Sequence, residues 1–346
     1  MQGLFYYLVD MKAKLLFTSV AALLLVSCSE TVNCEPCPEA SEDQSDQKGN
    51  VEIKIVESPS LVILGTIQDA GSPQLDCHEE CCEPLHSHPD PSRMVVSIGI
   101  IDPENKKKFI LEASPDMSEQ LADLSEYENF SESDIPDGVL LTHAHIGHYS
   151  GLMEFGKEAK NTNQVPVYAM PRMKKFLSSN GPWDQLVKTE NIKIQNLKNE
   201  QATQLTSNFS VVPFLVPHRD EYSETVGFKI IGPRKSALFI PDIDKWEKWE
   251  KDIVEEVSKV DYAFLDATFY DMGELPNRDM AEVPHPLLIE TTHIFIDEPI
   301  SERQKIHFIH FNHTNPILKD SSSASTITTN IKDFNIAQKG QVISMQ

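Results

Sequence analysis

The sequence predicts an α/β chain (α+β in its segregation of elements) folded as a four-layer αββα sandwich. Short strands come in two batches, each accompanied by helical segments. No repeat on the ~20–50-residue scale runs through them. Four short segments rich in histidine and aspartate fall where strands end: Thr142–His148, Pro217–Asp220, Ile240–Asp242 and His310–His313. Alternating strands and helices would also fit a doubly wound sheet. The histidine segments decide for the sandwich, because that architecture can gather several strand ends at one rim.

The elements follow in order. Leu61-Val62-Ile63-Leu64-Gly65 is an apolar run ending in glycine, a buried strand entering a loop. Met94–Ile101 and Lys108–Leu111 flank Asp102-Pro103-Glu104-Asn105, a turn signal, and form a hairpin. Pro115 opens a helix through Leu124. Gly138–Thr142 is a strand, Gly147–Lys160 a helix, Val165–Ala169 a strand and Met170–Leu177 a helix. Ile192–Ile194, Phe209–Val216, Thr225–Ile231 and Ala237–Ile240 read as the second batch of strands. Trp246–Val260 is amphipathic, Tyr262–Leu265 is a strand, and Lys305–Phe311 is the last clear strand.

With 346 residues, 40% of them hydrophobic, the chain has ample material for one packed domain over residues 51–346. Its net charge is −23, and residues 29–50 contribute only six acids and one lysine. The folded domain is therefore acidic, which disfavours nucleic acid as a partner and leaves a small molecule as the expected substrate. Residues 1–28 read as a lipoprotein signal. Lys12 and Lys14 form a basic start, Leu15–Val26 is too short to span a bilayer comfortably, and Leu25-Val26-Ser27-Cys28 resembles a bacterial lipobox. Met11 is the more natural start, and Cys28 is the expected lipidation site. The membrane would be touched only through that anchor, at the bacterial cell envelope. Residues 29–50, rich in Ser, Glu, Asp, Gln and Pro, read as a flexible acidic linker, with Cys34 and Cys37 suited to a local disulfide.

The chemistry concentrates in the histidines. Beyond Val139-Leu140-Leu141 the backbone is extended, so His143 and His145 point the same way. Gly147 lets the chain turn, and His148 falls in the first helical turn. Three imidazoles thus converge on one small volume, as a zinc or iron site demands. His218 and Asp242 follow apolar strands, and His313 follows the last one. A carboxylate such as Asp242 at a strand end is costly unless paired or bound to metal.

Over roughly residues 58–320 the segments resemble metallo-β-lactamase-fold proteins, Thr142–His148 being similar to their H-x-H-x-D-H motif with Gly147 at the aspartate. The resemblance implies a first metal on His143, His145 and His218, and a second on His148 and His313, with Asp242 bridging. Glu112 stands where such proteins have an aspartate supporting the histidine loop. A closer likeness is to the PQQ biosynthesis protein B branch. Leu64-Gly65-Thr66, then Gly71-Ser72-Pro73-Gln74 and a cysteine cluster, resembles its opening. Asp266-Ala267-Thr268-Phe269 and His313-Thr314-Asn315-Pro316 resemble its later motifs.

The expected activity is metal-dependent hydrolysis of a small-molecule ester or phosphodiester, a metal ion lowering the pKa of the attacking water. One or two Zn2+ would serve, and the same ligands suit Fe2+, so an Fe(II)/O2-dependent oxygenase is the alternative enzyme. With glycine at 147, the second position is expected to fill more weakly than the first, and a non-catalytic metal-binding scaffold is the third reading. Cys77, Cys81 and Cys82 suit an additional structural zinc, completed by His285 or by one of His78, His86 and His88; a disulfide is the competing reading. His285 is otherwise a general acid toward the leaving group or a plain loop residue, and Asp242 belongs to the catalytic rim. Arg219 would hold an anionic substrate group or pair with Asp220 or Glu221, and Asp266 would orient a histidine.

Overall fold

A computed structural model describes residues 54–275, 279, 283–319 and 331–346. The signal segment with Cys28, the linker with Cys34 and Cys37, and the first residues of the expected domain lie outside the described residues.

Among the described residues two seven-stranded sheets form. The first contains β1 (Ser60–Gly65), β2 (Ser97–Asp102), β3 (Lys107–Leu111), β4 (Gly138–Leu140), β5 (Val165–Ala169), β6 (Ile192–Asn196) and β14 (Val342–Ser344), in the order β14-β1-β2-β3-β4-β5-β6. The second contains β7 (Thr203–Gln204), β8 (Ser210–Leu215), β9 (Val226–Ile231), β10 (Ser236–Ile240), β11 (Tyr262–Asp266), β12 (Ile306–Ile309) and β13 (Asn335–Ile336), in the order β13-β12-β11-β10-β9-β8-β7. In each sheet one half is antiparallel and the other parallel: β3 to β6 in the first, β10 to β13 in the second.

The layers follow from strand periodicity. Leu61 and Ile63 of β1 enter a cluster with Phe228 and Phe239 of the second sheet, so this face lies between the sheets. Val62 and Leu64 enter the cluster containing α2 (Met117–Ser125) and α4 (Pro171–Ser179). Successive side chains point to opposite faces, and here both faces are buried, which is why β1 is apolar throughout. The outer face of the second sheet is covered by α6 (Ile253–Ser258) and α7 (Leu288–Ile294), with Trp246 and Trp249 in that cluster. The result is the α/β sandwich expected from sequence.

Several helices are shorter than the pattern predicts. The helix expected over 147–160 is a four-residue α3 (Ile146–Tyr149) followed by a 3-10 turn, Ser150–Phe155. Gly151 explains the tightening: a Cβ there would lie 2.2 Å from Ser114 O, and its N–H donates to Ala113 O at 2.9 Å. Trp246–Val260 is likewise split into a 3-10 turn, Trp246–Lys248, and α6. Asp252 restarts the helix as its N-cap, accepting from Val254 N at 2.8 Å and Glu255 N at 3.1 Å. The last strand stops at Ile309, because His310 adopts φ 69°. That left-handed residue reverses the side-chain alternation and decides which histidine reaches the rim.

Candidate metal centre

The rim is assembled from the ends of β4, β8, β10, β11 and β12. After β4 the backbone stays extended, with His145 at φ −83°, ψ 141° serving as N-cap of α3. His143 and His145 therefore share a side, and His148 completes the turn from within α3. Cross-sheet hydrogen bonds fix this loop: Ala144 N to Ser223 Oγ at 2.8 Å and Val226 N to Thr142 O at 3.2 Å.

Asp242 is the centre. Its Oδ2 lies 3.1 Å from His218 Nε2, 3.3 Å from His143 Nε2, and 3.7 Å from both His145 Nδ1 and His148 Nε2. Its Oδ1 lies 3.3 Å from His285 Nδ1. His143, His145, His218 and Asp242 present donor atoms all within 4.8 Å of one another. A second group, Asp69, His148 and His310, meets the same limit.

Most of these rings are oriented by an outward partner, which leaves one nitrogen for the rim. His143 Nδ1 is 2.9 Å from Thr142 Oγ1, His218 Nδ1 is 3.2 Å from Asp244 Oδ1, and His145 Nε2 is 3.4 Å from Glu221 Oε2. His148 Nδ1 is 3.5 Å from Glu112 Oε2, a fully buried carboxylate held at φ 73°. Partners of this kind set tautomer and ring direction in metal sites. Nε2 of His143, His148 and His310, and Oδ1 of Asp242, are buried without a hydrogen-bond partner. Buried polar atoms are rarely orphaned. An imidazole and carboxylate set with inward lone pairs unsatisfied fits a divalent cation of the zinc or ferrous type.

The electrostatics differ from ring to ring: burial opposes protonation of His148 and His218, but Glu112 holds the His148 proton up to about 9 and Asp242 raises His218. Burial pushes His143 well below the usual histidine range, and the neighbouring His148 adds to this. Burial also opposes a charge on Asp242, but His218 and His285 outweigh it and hold the carboxyl well below its usual range. At Asp266 burial is again outweighed, by His285 and His310, and the carboxyl falls to about 2. For His285 burial opposes protonation, but Asp266 and Asp242 hold its proton up to about 9.

Asp266 has a different task. Its Oδ1 accepts from Thr268 N at 2.9 Å and Thr268 Oγ1 at 2.7 Å, and its Oδ2 from His285 Nδ1 at 2.8 Å and Ile243 N at 3.2 Å. With both oxygens satisfied it orients His285 rather than offering lone pairs to an ion. His285 and Arg219 line a cavity of about 420 Å3 together with Gln68, Thr268 and Phe269. Asp220, expected as an alternative partner of Arg219, instead accepts from Thr225 Oγ1 at 2.8 Å and lies 3.9 Å from Arg172.

One residue expected at the rim is elsewhere. His313 was assigned to the second metal beside His148, but its donor atom groups with Cys77, Cys81 and Cys82. His310 occupies the rim position instead, since the chain turns at its positive φ and the next three residues lead away. The histidine expected to complete the cysteine set is therefore His313, in place of His285, His78, His86 or His88. The three cysteines are free, with Sγ separations of 3.9 Å for Cys77–Cys81 and for Cys81–Cys82. Tetrahedral zinc with Zn–S near 2.3 Å needs sulfur–sulfur edges of about 3.8 Å, so the geometry fits zinc. Burial raises the Cys81 thiol and pushes that of Cys82 up to about 12. A cation would reverse that penalty by stabilising thiolates. Sequence reasoning also missed Asp69 and Asp244, which lie in turns and loops without a recognisable spacing, and gave Glu221 and Thr268 no task toward the histidines.

Comparison with known proteins agrees with this fold. Residues 107–310 match the family model described as the β-lactamase superfamily domain. The chain is 24% identical over 313 residues to coenzyme PQQ synthesis protein B of Methylorubrum extorquens strain PA1, covering 82% of this chain and 99% of that protein. The corresponding protein of Acinetobacter baylyi is 25% identical over 293 residues, covering 76% and 92%. Among solved structures, Zn2+-bound PqqB from Methylobacterium extorquens superposes with TM-score 0.66 at 22% identity, over 82% of this chain and 99% of that one. A diphosphatase from the PhnP family superposes with TM-score 0.56 at 18% identity, over 82% and 96%.

Proposed function

We propose that this chain, which belongs to the β-lactamase superfamily, is a metal-dependent hydrolase of a small-molecule ester or phosphodiester. The observation that carries the reading is the Asp242 carboxylate, faced by five imidazole nitrogens within 3.7 Å beside a cavity of about 420 Å3. His143, His145 and His218 would hold one ion, and His148 and His310 belong to a second position, with Asp242 between them. Zinc, or iron, supplies Lewis acidity and a lowered pKa for water.

The chain's own residues supply the rest. Arg219 presents a guanidinium to the cavity, suited to an anionic oxygen pair on the substrate. His285, fixed through Nδ1 by Asp266, keeps Nε2 for the substrate and acts as general acid toward the leaving group. Cys77, Cys81, Cys82 and His313 hold a structural zinc. A lipid on Cys28 would hold the enzyme at the bacterial cell envelope; loss of membrane association in Cys28→Ala supports this, and retention contradicts it.

The test is turnover of bis(p-nitrophenyl) phosphate and of p-nitrophenyl acetate by zinc-loaded protein without oxygen. The expected result is hydrolysis that is lost in His143→Ala; in His285→Ala the fall should be small for p-nitrophenolate, which leaves without a proton, and roughly 10²–10⁴-fold for an alkyl ester or phosphodiester, whose leaving group needs one. Absence of anaerobic turnover, or turnover only with Fe2+ and oxygen, contradicts the hydrolase reading.

A further inference from the structure

Gly147 removes the carboxylate that an H-x-H-x-D-H motif would place in the second metal position, yet that place is filled. A Cβ built on Gly147 would lie 2.0 Å from Asp69 Cβ, 2.7 Å from Asp69 Cα and 2.8 Å from Asp69 O. Real Cβ atoms essentially never approach other atoms below 3.0 Å. The glycine's φ lies outside the left-handed region, so the requirement is steric: Asp69 stands where a side chain at 147 would begin.

We infer that Asp69, reaching in from the loop after β1, is the carboxylate ligand of the second metal position and substitutes for the aspartate absent at 147. Its carboxylate, His148 and His310 present donor atoms all within 4.8 Å of one another. Both histidines are fully buried and the Nε2 of each is without a hydrogen-bond partner. The His310 tautomer follows from its neighbours. Thr268 Oγ1 donates its one proton to Asp266 Oδ1, so it can only accept from His310 Nδ1–H, 2.8 Å away. The Nε2 lone pair is thereby left for an ion. His148 Nδ1 faces Glu112, which as a carboxylate can only accept, with the same consequence for His148 Nε2.

Asp69 is held where this requires. Gln68 N donates to Phe311 O at 2.8 Å and Phe311 N to Thr66 O at 2.8 Å, which locks the loop to the residue directly after His310. Gly71 N closes a turn on Gln68 O at 2.9 Å, with Asp69 at its first corner. The Gln68 side chain clamps both ends of that corner: Oε1 accepts from Ala70 N at 3.0 Å, and Nε2 donates to Asp69 Oδ1. Two of the three approaches are to Cα and O of residue 69, so the path of this loop requires glycine at 147. The expectation that the second position is depleted of ligands then no longer follows.

This inference rests on the metal-centre reading above, and its readout is metal content. Each variant is freed of metal, dialysed against Zn2+ and measured by elemental analysis and calorimetry. Asp69→Asn, which keeps the side-chain shape, is expected to lose one zinc equivalent relative to the native chain, or to bind it at least ~100-fold more weakly, while the His143 group still fills. Gly147→Ala removes no donor but displaces Asp69, so it should lose the same equivalent. An unchanged zinc content in Asp69→Asn overturns the assignment. Zinc content that depends on Asp69 without any turnover would sink the hydrolase reading and leave this assignment standing.

Discussion

His307 shows how burial without a partner writes a pH dependence into one residue. It lies on β12 against Tyr262 and Phe264, is 6% exposed, and its Nδ1 has no hydrogen-bond partner. Burial lowers its pKa to about 4 from the usual histidine value of 6.5. The sign follows: the folded state disfavours the proton, so the residue's full stability is present above pH 6.5 and is lost as the pH falls toward 4. The loss is on the order of 3 kcal/mol. Denaturant titrations of the native chain and His307→Phe between pH 7 and 4 should show a shallower decline in the variant; parallel curves would contradict the assignment. Single residues also explain what sequence could not reveal at the rim. His310 and His313 stand in one short segment with no periodic difference between them, and only the positive φ at His310 sends one ring to Asp242 and the other to the cysteines. Asp69 was equally hidden, because its relation to Gly147 is a steric contact between remote loops.

At the scale of elements, the legible parts were those with a strong physical signature. The buried strands β1, β4 and β10 are apolar runs with punctuated ends, and each leads toward residues that build or support the rim. The helices over 147–160 and 246–260 were overextended, since Gly151 and Asp252 act through local contacts that periodicity does not register. β14 went unread because a three-residue strand gains its identity only by pairing with β1. The cysteine loop illustrates an element fixed by chemistry instead of by a core: α1 (Glu83–Ser87) contains no buried residue, and the segment before it meets β12's exit at His313. Zinc there would fasten two remote loops, one continuous with the turn carrying Asp69. His313→Ala should therefore lose one zinc equivalent and lower Tm; a site held at 100-fold its Kd contributes about 2.7 kcal/mol. Equal zinc content and equal Tm in the variant would show that the loop is fastened by packing alone.

Over the whole molecule, two mixed sheets place their strand ends along one rim, so the second sheet's Asp242, Asp266 and His310 meet the first sheet's histidine loop. The acidic composition and the cation-seeking interior are separate consequences of one chain: 53 acids against 30 Lys and Arg give the net charge of −23, and among those acids the buried carboxylates Asp242, Asp266 and Glu112 each lie beside imidazoles. The account depends on those imidazoles being ligands and not merely a hydrogen-bonded cluster. The most direct test is a crystal grown with Zn2+ and measured on both sides of the zinc absorption edge. Anomalous density should appear at two rim positions flanking Asp242, one bound by His143, His145 and His218 and one by Asp69, His148 and His310, with a further peak among Cys77, Cys81, Cys82 and His313. A zinc-saturated crystal with no anomalous density beside Asp242 would contradict the account.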